Sequence, residues 1–383
     1  MKISLATNFD NKLIEEIKDI KEVEELYGRM KYDLVGGGRP IDYVIDMDKQ
    51  TFENHVKKAR AAGLNFNYLL NVACTNNFEQ NPKWRDEFRE FLKYLKSVGV
   101  NALTISNPLL LQLVKKYFGD EFKTRISTFA YVDGVGKAEK WQELGADLIC
   151  LDFGRMNRDF KELEHMASKL TKTKIEIYSN NFCLKDCPMI NEHANAIAHS
   201  STIANYVDYP LMYCQRKLLE YPVEYIRSPF VRPEDVVEYE RIGIDNFKLI
   251  DRSCPTVELV NRVKAYASRN FDGNLLEICQ ASGFTTSPVL RRDKEHEPPV
   301  QSIYNDIREI RGLGCKRIEP YHVHVDNKKL SNFIDYFKDG KCKRHCKSCG
   351  YCQSIAKEVI TVNEDVRTKL LNKYDDLDKE FCS

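Results

Sequence analysis

The chain has 383 residues, a formal net charge of +1, 43% hydrophobic and 30% charged residues. This is an ordinary globular composition, and its near-neutral balance excludes a polyelectrolyte surface for nucleic acid. No apolar run approaches the ~18 residues of a membrane span, and the start MKISLATNFDNKLIEEIKDIK lacks a signal-peptide pattern, so a cytoplasmic protein without membrane partners is expected.

Strands are expected at 2–7, 32–36, 65–71, 102–106, 125–130, 147–152, 174–179 and 245–250, with amphipathic helical segments between them. Four junctions share one pattern: ARAAGLNFNYLL, KSVGVNALTIS, QELGADLICLD and ERIGIDNFKLI. In each, a helix-like stretch meets a Gly (Gly63, Gly99, Gly145, Gly243), then one apolar residue, Asn or Asp, and a short apolar strand. The Gly supplies the left-handed position that stops a helix, and the run after it is too short for another. Alternating β and α with eight repeats predicts an α/β fold, a (β/α)8 TIM-type barrel. An open doubly wound sheet is the alternative, weakened because no GxGxxG turn follows strand one. VGGGRP at 35–40 lacks the Walker Lys of a P-loop.

The predicted organisation is a barrel over 1–285 with an insertion at 180–244, then a linker and a small Cys-rich unit over 286–383. Catalytic groups of such barrels sit at the carboxyl ends of the strands. Those ends carry Arg39, Arg155 and Arg252, candidates for holding a carboxylate or phosphate because the guanidinium fork pairs such anions. Asp152, Glu176 and Asn180 at neighbouring ends are candidate catalytic residues.

Thirteen cysteines in a reducing compartment point to metal rather than disulfides. Cys183, Cys187 and Cys214 lie in the insertion and Cys254 follows strand eight, so all four can converge over the barrel mouth. Scattered thiolates of this kind suit a 4Fe–4S cluster; zinc is the alternative, although structural zinc sites usually have two tight CxxC knuckles.

The stretch from about 124 to 265 resembles the peptidase U32, or collagenase-like, family, in RISTFAYV, GADLICLD, KIEIYSNNFC and GIDNFKLIDRS. The resemblance implies a (β/α)8 barrel and, in its iron–sulfur branch, a 4Fe–4S cluster on Cys183, Cys187, Cys214 and Cys254. It also implies oxygen-independent hydroxylation or a related modification of an RNA, a peptide or a small anionic molecule, with an electron donor as partner. The family's His is Asn180 here, and the fourth cysteine falls after strand eight.

Near the end, CKRHCKSCGYC packs Cys342, Cys346, Cys349 and Cys352 into one short stretch. A closed site for a second 4Fe–4S cluster or for zinc is expected, standing apart from the mouth loops. Its CxxxCxxC portion also matches radical S-adenosylmethionine spacing, which leaves a radical or two-cluster electron-transfer protein as an alternative. A collagenase-like peptidase is a further one, although HExxH and GxSxG are both absent.

Overall fold

The computed structural model describes residues 1–41, 44–202, 209–252, 254–281 and 323–382. Eight parallel strands close a barrel: β1 (Lys2–Ala6), β2 (Val23–Gly28), β3 (Asn65–Leu70), β4 (Ala102–Ile105), β5 (Lys123–Ile126), β6 (Leu148–Cys150), β7 (Lys174–Tyr178) and β9 (Asn246–Leu249). Pairing of β9 with both β7 and β1 completes the ring. The fold is therefore the expected (β/α)8 barrel. One strand stands elsewhere than expected: the second is Val23–Gly28, and residues 32–36 belong to the loop that follows it.

The repeated junction has a physical explanation. Gly63, Gly99, Gly145 and Gly243 adopt φ of 82°, 103°, 93° and 85°. After each, the next N–H reaches five residues back into the ending helix, as in Leu64 to Ala59 and Val100 to Leu95, so orphan carbonyls are satisfied. The following Asn or Asp ties the strand bottoms together. Asn101 Oδ1 accepts from Phe66 N–H at 2.9 Å, and Asp147 accepts from the Thr124 N–H and hydroxyl, both at 2.8 Å.

Alternate strand residues point into the bore, and many are polar. Ser4 and Asn67 donate to Glu25 at 2.5 and 3.0 Å, and Thr104 donates to Asn67 at 2.9 Å. Arg125 reaches across to Glu25 at 2.7 Å and to Glu176 at 3.5 Å. The apolar alternates Ile3, Leu5, Leu26, Phe66, Leu103, Ile126, Ile177 and Phe247 face the helices and form the main core.

Between β7 and β9 lie the short strand β8 (Asn181–Phe182) and helices Ile190–Ser200, Tyr209–Glu220, Val223–Arg227 and Val236–Arg241. β8 pairs in parallel with β10 (Gln280–Ala281). The boundary expected near 285 and the linker beyond it lie outside the described residues. β11 (Val323–Val325) and β12 (Ile360–Val362) form an antiparallel pair. Phe333, Phe337, Ala356 and Val359 of this region join the same core as the barrel. The last helix, Glu364–Cys382, buries Leu370, Tyr374 and Leu377 against Met212 and Leu219, with Arg216 bridging Asp375 and Asp378. Among the described residues no helix is long and apolar enough to cross a membrane.

Candidate active site at the barrel mouth

A cavity of ≈ 230 Å³ opens at the carboxyl ends of the strands. Leu69, Cys150, Tyr27 and Lys248 come from the strands themselves; Arg39, Asp251 and Arg252 come from the loops after β2 and β9; Phe129, Phe153, Tyr178 and His193 close the sides. The β2 loop can approach because of its glycines. Gly36 has φ +86°, and a Cβ on Gly38 would stand 2.5 Å from the Phe129 ring. Gly38 instead donates its N–H to Asn71 Oδ1 at 3.1 Å, which places Arg39 over the mouth.

Charge in this cavity is unbalanced. Three cations, Arg39, Lys248 and Arg252, line it against the single carboxylate of Asp251. Asp251 is fully buried and ion-paired with Arg39. Burial opposes the charge on Arg39, yet the Asp251 carboxylate holds its pKa above the ordinary value. Arg252 has no such partner: burial first, and then repulsion from Arg39, brings its pKa down to about 9. Among the described residues its Nη1 is buried without a hydrogen-bond acceptor. The Lys248 ammonium sits 4.3 Å from the centroid of the Tyr27 ring, and Tyr27 donates its hydroxyl to Leu249 O at 3.0 Å. Burial pushes the Tyr27 and Tyr178 hydroxyls up, so both rings stay neutral. Such a site attracts an anion and gives it aromatic walls.

The expected residues fall at different places. Arg39 and Arg252 meet at the mouth. Arg155 does not; it is exposed, 3.9 Å from Asp186, on the flank of the barrel. Glu176 lies in the bore beside Arg125, below the cavity, and with burial its charge helps to raise the pKa of the Cys150 thiol that lines the floor. Asn180 is wholly engaged with backbone, donating to Ile250 O at 2.7 Å and Ile278 O at 3.0 Å and accepting from Ile250 N–H. Asp152 caps the helix Phe153–Met156, accepting from Gly154 N–H at 2.9 Å.

Of the barrel thiols, Cys183 lines the cavity, its pKa pushed up to about 12 by burial and then by Cys187. Cys214 is buried with its sulfur 3.1 Å from Leu211 O, and Cys254 is buried beside Arg262 and Asp251. Among the described residues no three His, Cys, Asp or Glu side chains stand in an arrangement that holds a metal. As arranged, neither the four barrel thiols nor the four tail thiols are gathered into one ligand set. The tail thiols Cys342, Cys346, Cys349 and Cys352 line one second cavity of ≈ 210 Å³ on the barrel flank. That cavity is not remote from the mouth loops as expected, since Lys185, between Cys183 and Cys187, donates to Cys346 Sγ at 3.3 Å.

Sequence reasoning missed Lys248 and Tyr27. The available signal was alternation: Asn246 and Lys248 interleave with Phe247 and Leu249, so the polar pair had to face the bore.

Residues 43–184 match the sequence model of peptidase family U32. Over this stretch the chain is similar to that family. An uncharacterized protease of Methanocaldococcus jannaschii is 27% identical over 366 residues, 94% of this chain and 96% of its own. The solved U32 peptidase Mk0906 superposes with a TM-score of 0.51 at 18% identity, over 67% of this chain and 94% of its own, a likeness that concerns the fold. The U32 match covers β3 to β7 and stops at Leu184, so Lys248, Asp251, Arg252 and the tail thiols lie beyond it.

Proposed function

We propose that this U32-related barrel is an enzyme acting on an anionic substrate, a small acid or the anionic part of an RNA or peptide, bound in the mouth cavity. The observation that carries this reading is Arg252, whose buried Nη1 lacks an acceptor among the described residues, beside Lys248, a second cation with no carboxylate partner among them. A buried guanidinium proton without a partner is costly, and an incoming oxyanion removes that cost. Arg39, already paired with Asp251, orients the loop and leaves Arg252 and Lys248 for the ligand.

The finer reading, an oxygen-independent modification that draws electrons from an iron–sulfur centre, rests on the thiol content and on the U32 resemblance. A peptidase is favoured by the similarity to an archaeal protease and to the U32 peptidase family. Against it, the thiols at the cavity are held protonated by burial, and a cysteine nucleophile needs the thiolate.

Thermal unfolding with a panel of dicarboxylates, phosphate monoesters and neutral analogues tests the binding reading. Anions should raise the transition in proportion to the logarithm of concentration, and Arg252→Gln should abolish the shift. An equal response to neutral and anionic compounds sinks it. Peptide cleavage by the purified chain, lost in a Cys150→Ser or Cys183→Ser variant, would establish the peptidase instead.

A further inference from the structure

We infer that the second cavity, on the barrel flank, is a binding site for a small phosphate monoester carrying one flat ring. The site stands apart from the anion reading of the mouth and does not depend on it. It lies between the barrel and the tail, with ≈ 210 Å³ of space. That is below the roughly 300–1,000 Å³ of a drug-sized pocket, and it suits one ring and one phosphate rather than a polymer.

Charge carries the inference. Seven lysines and arginines line the cavity against two carboxylates, Asp159 and Asp186. Arg344 takes Asp159 at 2.5 Å, Arg155 lies 3.9 Å from Asp186, and Arg227 pairs with Glu224 outside the cavity at 2.5 Å. Arg158, Lys161, Lys185 and Lys343 have no carboxylate within ion-pair distance among the described residues. Lys161 and Lys343 are exposed and water meets their charges, but Arg158 and Lys185 are half-buried. Two of the cations converge on one residue of the tail: Lys185 donates to Cys346 Sγ at 3.3 Å, and Arg227 turns Nη2 toward Cys346 O at 3.5 Å. Arg158 joins them through Ile226, the residue before Arg227, whose carbonyl accepts from its Nη1 at 2.8 Å. Like charges gathered in this way repel unless an anion lies among them. The Nε atoms of Arg158 and Arg227 are both buried without an acceptor among the described residues.

The thiols beside these cations do not answer them all. Burial pushes Cys352 up to about 11, so it stays protonated at neutral pH. Cys349 comes down, through the Tyr336 hydroxyl and the Tyr351 N–H first and then through Lys185 and Arg227, and one thiolate there still leaves the sum positive. Phosphate suits this surplus better than carboxylate. A phosphate monoester brings about two negative charges and three terminal oxygens, so it accepts from several cations at once. The ring follows from the remaining wall. Phe153, Tyr336, Phe337 and Tyr351 line the same space, and Tyr336 is stacked on Tyr351 with centroids 3.9 Å apart and planes 9° from parallel. Such a wall takes a flat ring face to face or edge-on. Phe153 lines the mouth as well, so the two cavities share a wall.

The test titrates phenyl phosphate, inorganic phosphate and phenol into the full chain by calorimetry. Phenyl phosphate is expected to bind at the flank, inorganic phosphate more weakly and phenol not at all. Arg252→Gln, at the mouth, should leave that binding unchanged, and Lys185→Met should weaken it about tenfold, the worth of one charge-assisted hydrogen bond. If Lys185→Met does not fold, Lys343→Glu, at an exposed position on this cavity, should weaken binding about three- to fivefold. Absence of binding overturns the proposal. So does binding that the folded Lys185→Met chain retains in full or, where that chain does not fold, that Lys343→Glu retains. Binding lost in Arg252→Gln alone assigns the ligand to the mouth and removes the flank site. Inorganic phosphate or phenol binding as tightly as phenyl phosphate equally overturns it, since the ring or the charge would then contribute nothing.

Discussion

The bore and the mouth of the barrel are stacked on the same strands, yet they handle charge in opposite ways. In the bore, Arg125 lies between Glu25 and Glu176, and Ser4 and Asn67 donate to Glu25, so each charge faces an opposite one, although Arg125 Nε and Glu176 Oε2 are buried without a hydrogen-bond partner among the described residues. At the mouth, Asp251 answers Arg39 alone, and Arg252 and Lys248 are left over. A closed set is stabilising because every buried charge has a partner; an open set is tolerated because a ligand completes it. The bore is therefore read as structure and the mouth as function.

The largest expected effect breaks the closed set. Arg125→Met leaves Glu25 and Glu176 buried without their cation, and removal of one member of such a group destabilises by about 3–5 kcal/mol. Urea unfolding should show that loss. A loss under about 1 kcal/mol would mean that the bore carboxylates are protonated and the set is not ionic.

A smaller loss is expected from a buried neutral group beside the bore. His55 has no exposure, bonds Thr7 Oγ1 at 2.8 Å and Asn11 Oδ1 at 3.0 Å, and burial brings its pKa down to about 4. The unfolded chain takes up this proton near pH ~6.5 and the folded chain only near 4. The stabilisation is thus complete above ~6.5 and is lost as pH falls from there toward 4, by about 2–4 kcal/mol. His55→Gln should flatten that part of the stability–pH curve; an unchanged slope would show that another group titrates.

These contrasts also explain what the sequence disclosed. The Gly–apolar–Asn/Asp junction located strands because it encodes a helix stop and a strand clip, both local. β2 was displaced because VEELYG carries Glu24 and Glu25, and a Glu reads as a solvent residue until Arg125, a hundred positions on, is seen facing it. Arg39 and Arg252 were legible as arginines beside strand ends. Lys248 was legible only through its alternation with Phe247 and Leu249, a signal that turns it into the bore without marking it as a residue of the mouth. Arg155 sits at a strand end too, but its short helix turns it to the flank.

The open set should respond in binding rather than in stability. Arg252→Gln and Lys248→Met should each weaken an anionic ligand by about 1–3 kcal/mol, the worth of a charge-assisted hydrogen bond. Unfolding midpoints should hold or rise, because each change removes a buried cation without a carboxylate partner. Calorimetric titration beside urea unfolding separates the two. Strong destabilisation by Arg252→Gln would place Arg252 with the bore, and the contrast between the two layers would fail.

The smallest effect concerns Asp152, at the border between structure and chemistry. Its carboxylate accepts from Gly154 N–H at 2.9 Å and Arg155 N–H at 3.4 Å, and burial raises its pKa. Capping asks only for a side-chain oxygen, which an amide supplies as well as a carboxylate. A proton-transfer role asks for a group that titrates, which an amide does not. Asp152→Asn should therefore change stability by less than about 0.5 kcal/mol, and Asp152→Ala should cost about 0.5–2 kcal/mol, as for a lost cap. If turnover of an anionic substrate survives in Asp152→Asn with an unchanged pH profile, Asp152 only holds the loop that carries Phe153 into the cavity wall. If turnover is lost while the midpoint stays put, the carboxyl itself takes part, and the open set at the mouth extends from β9 past β7 to the end of β6.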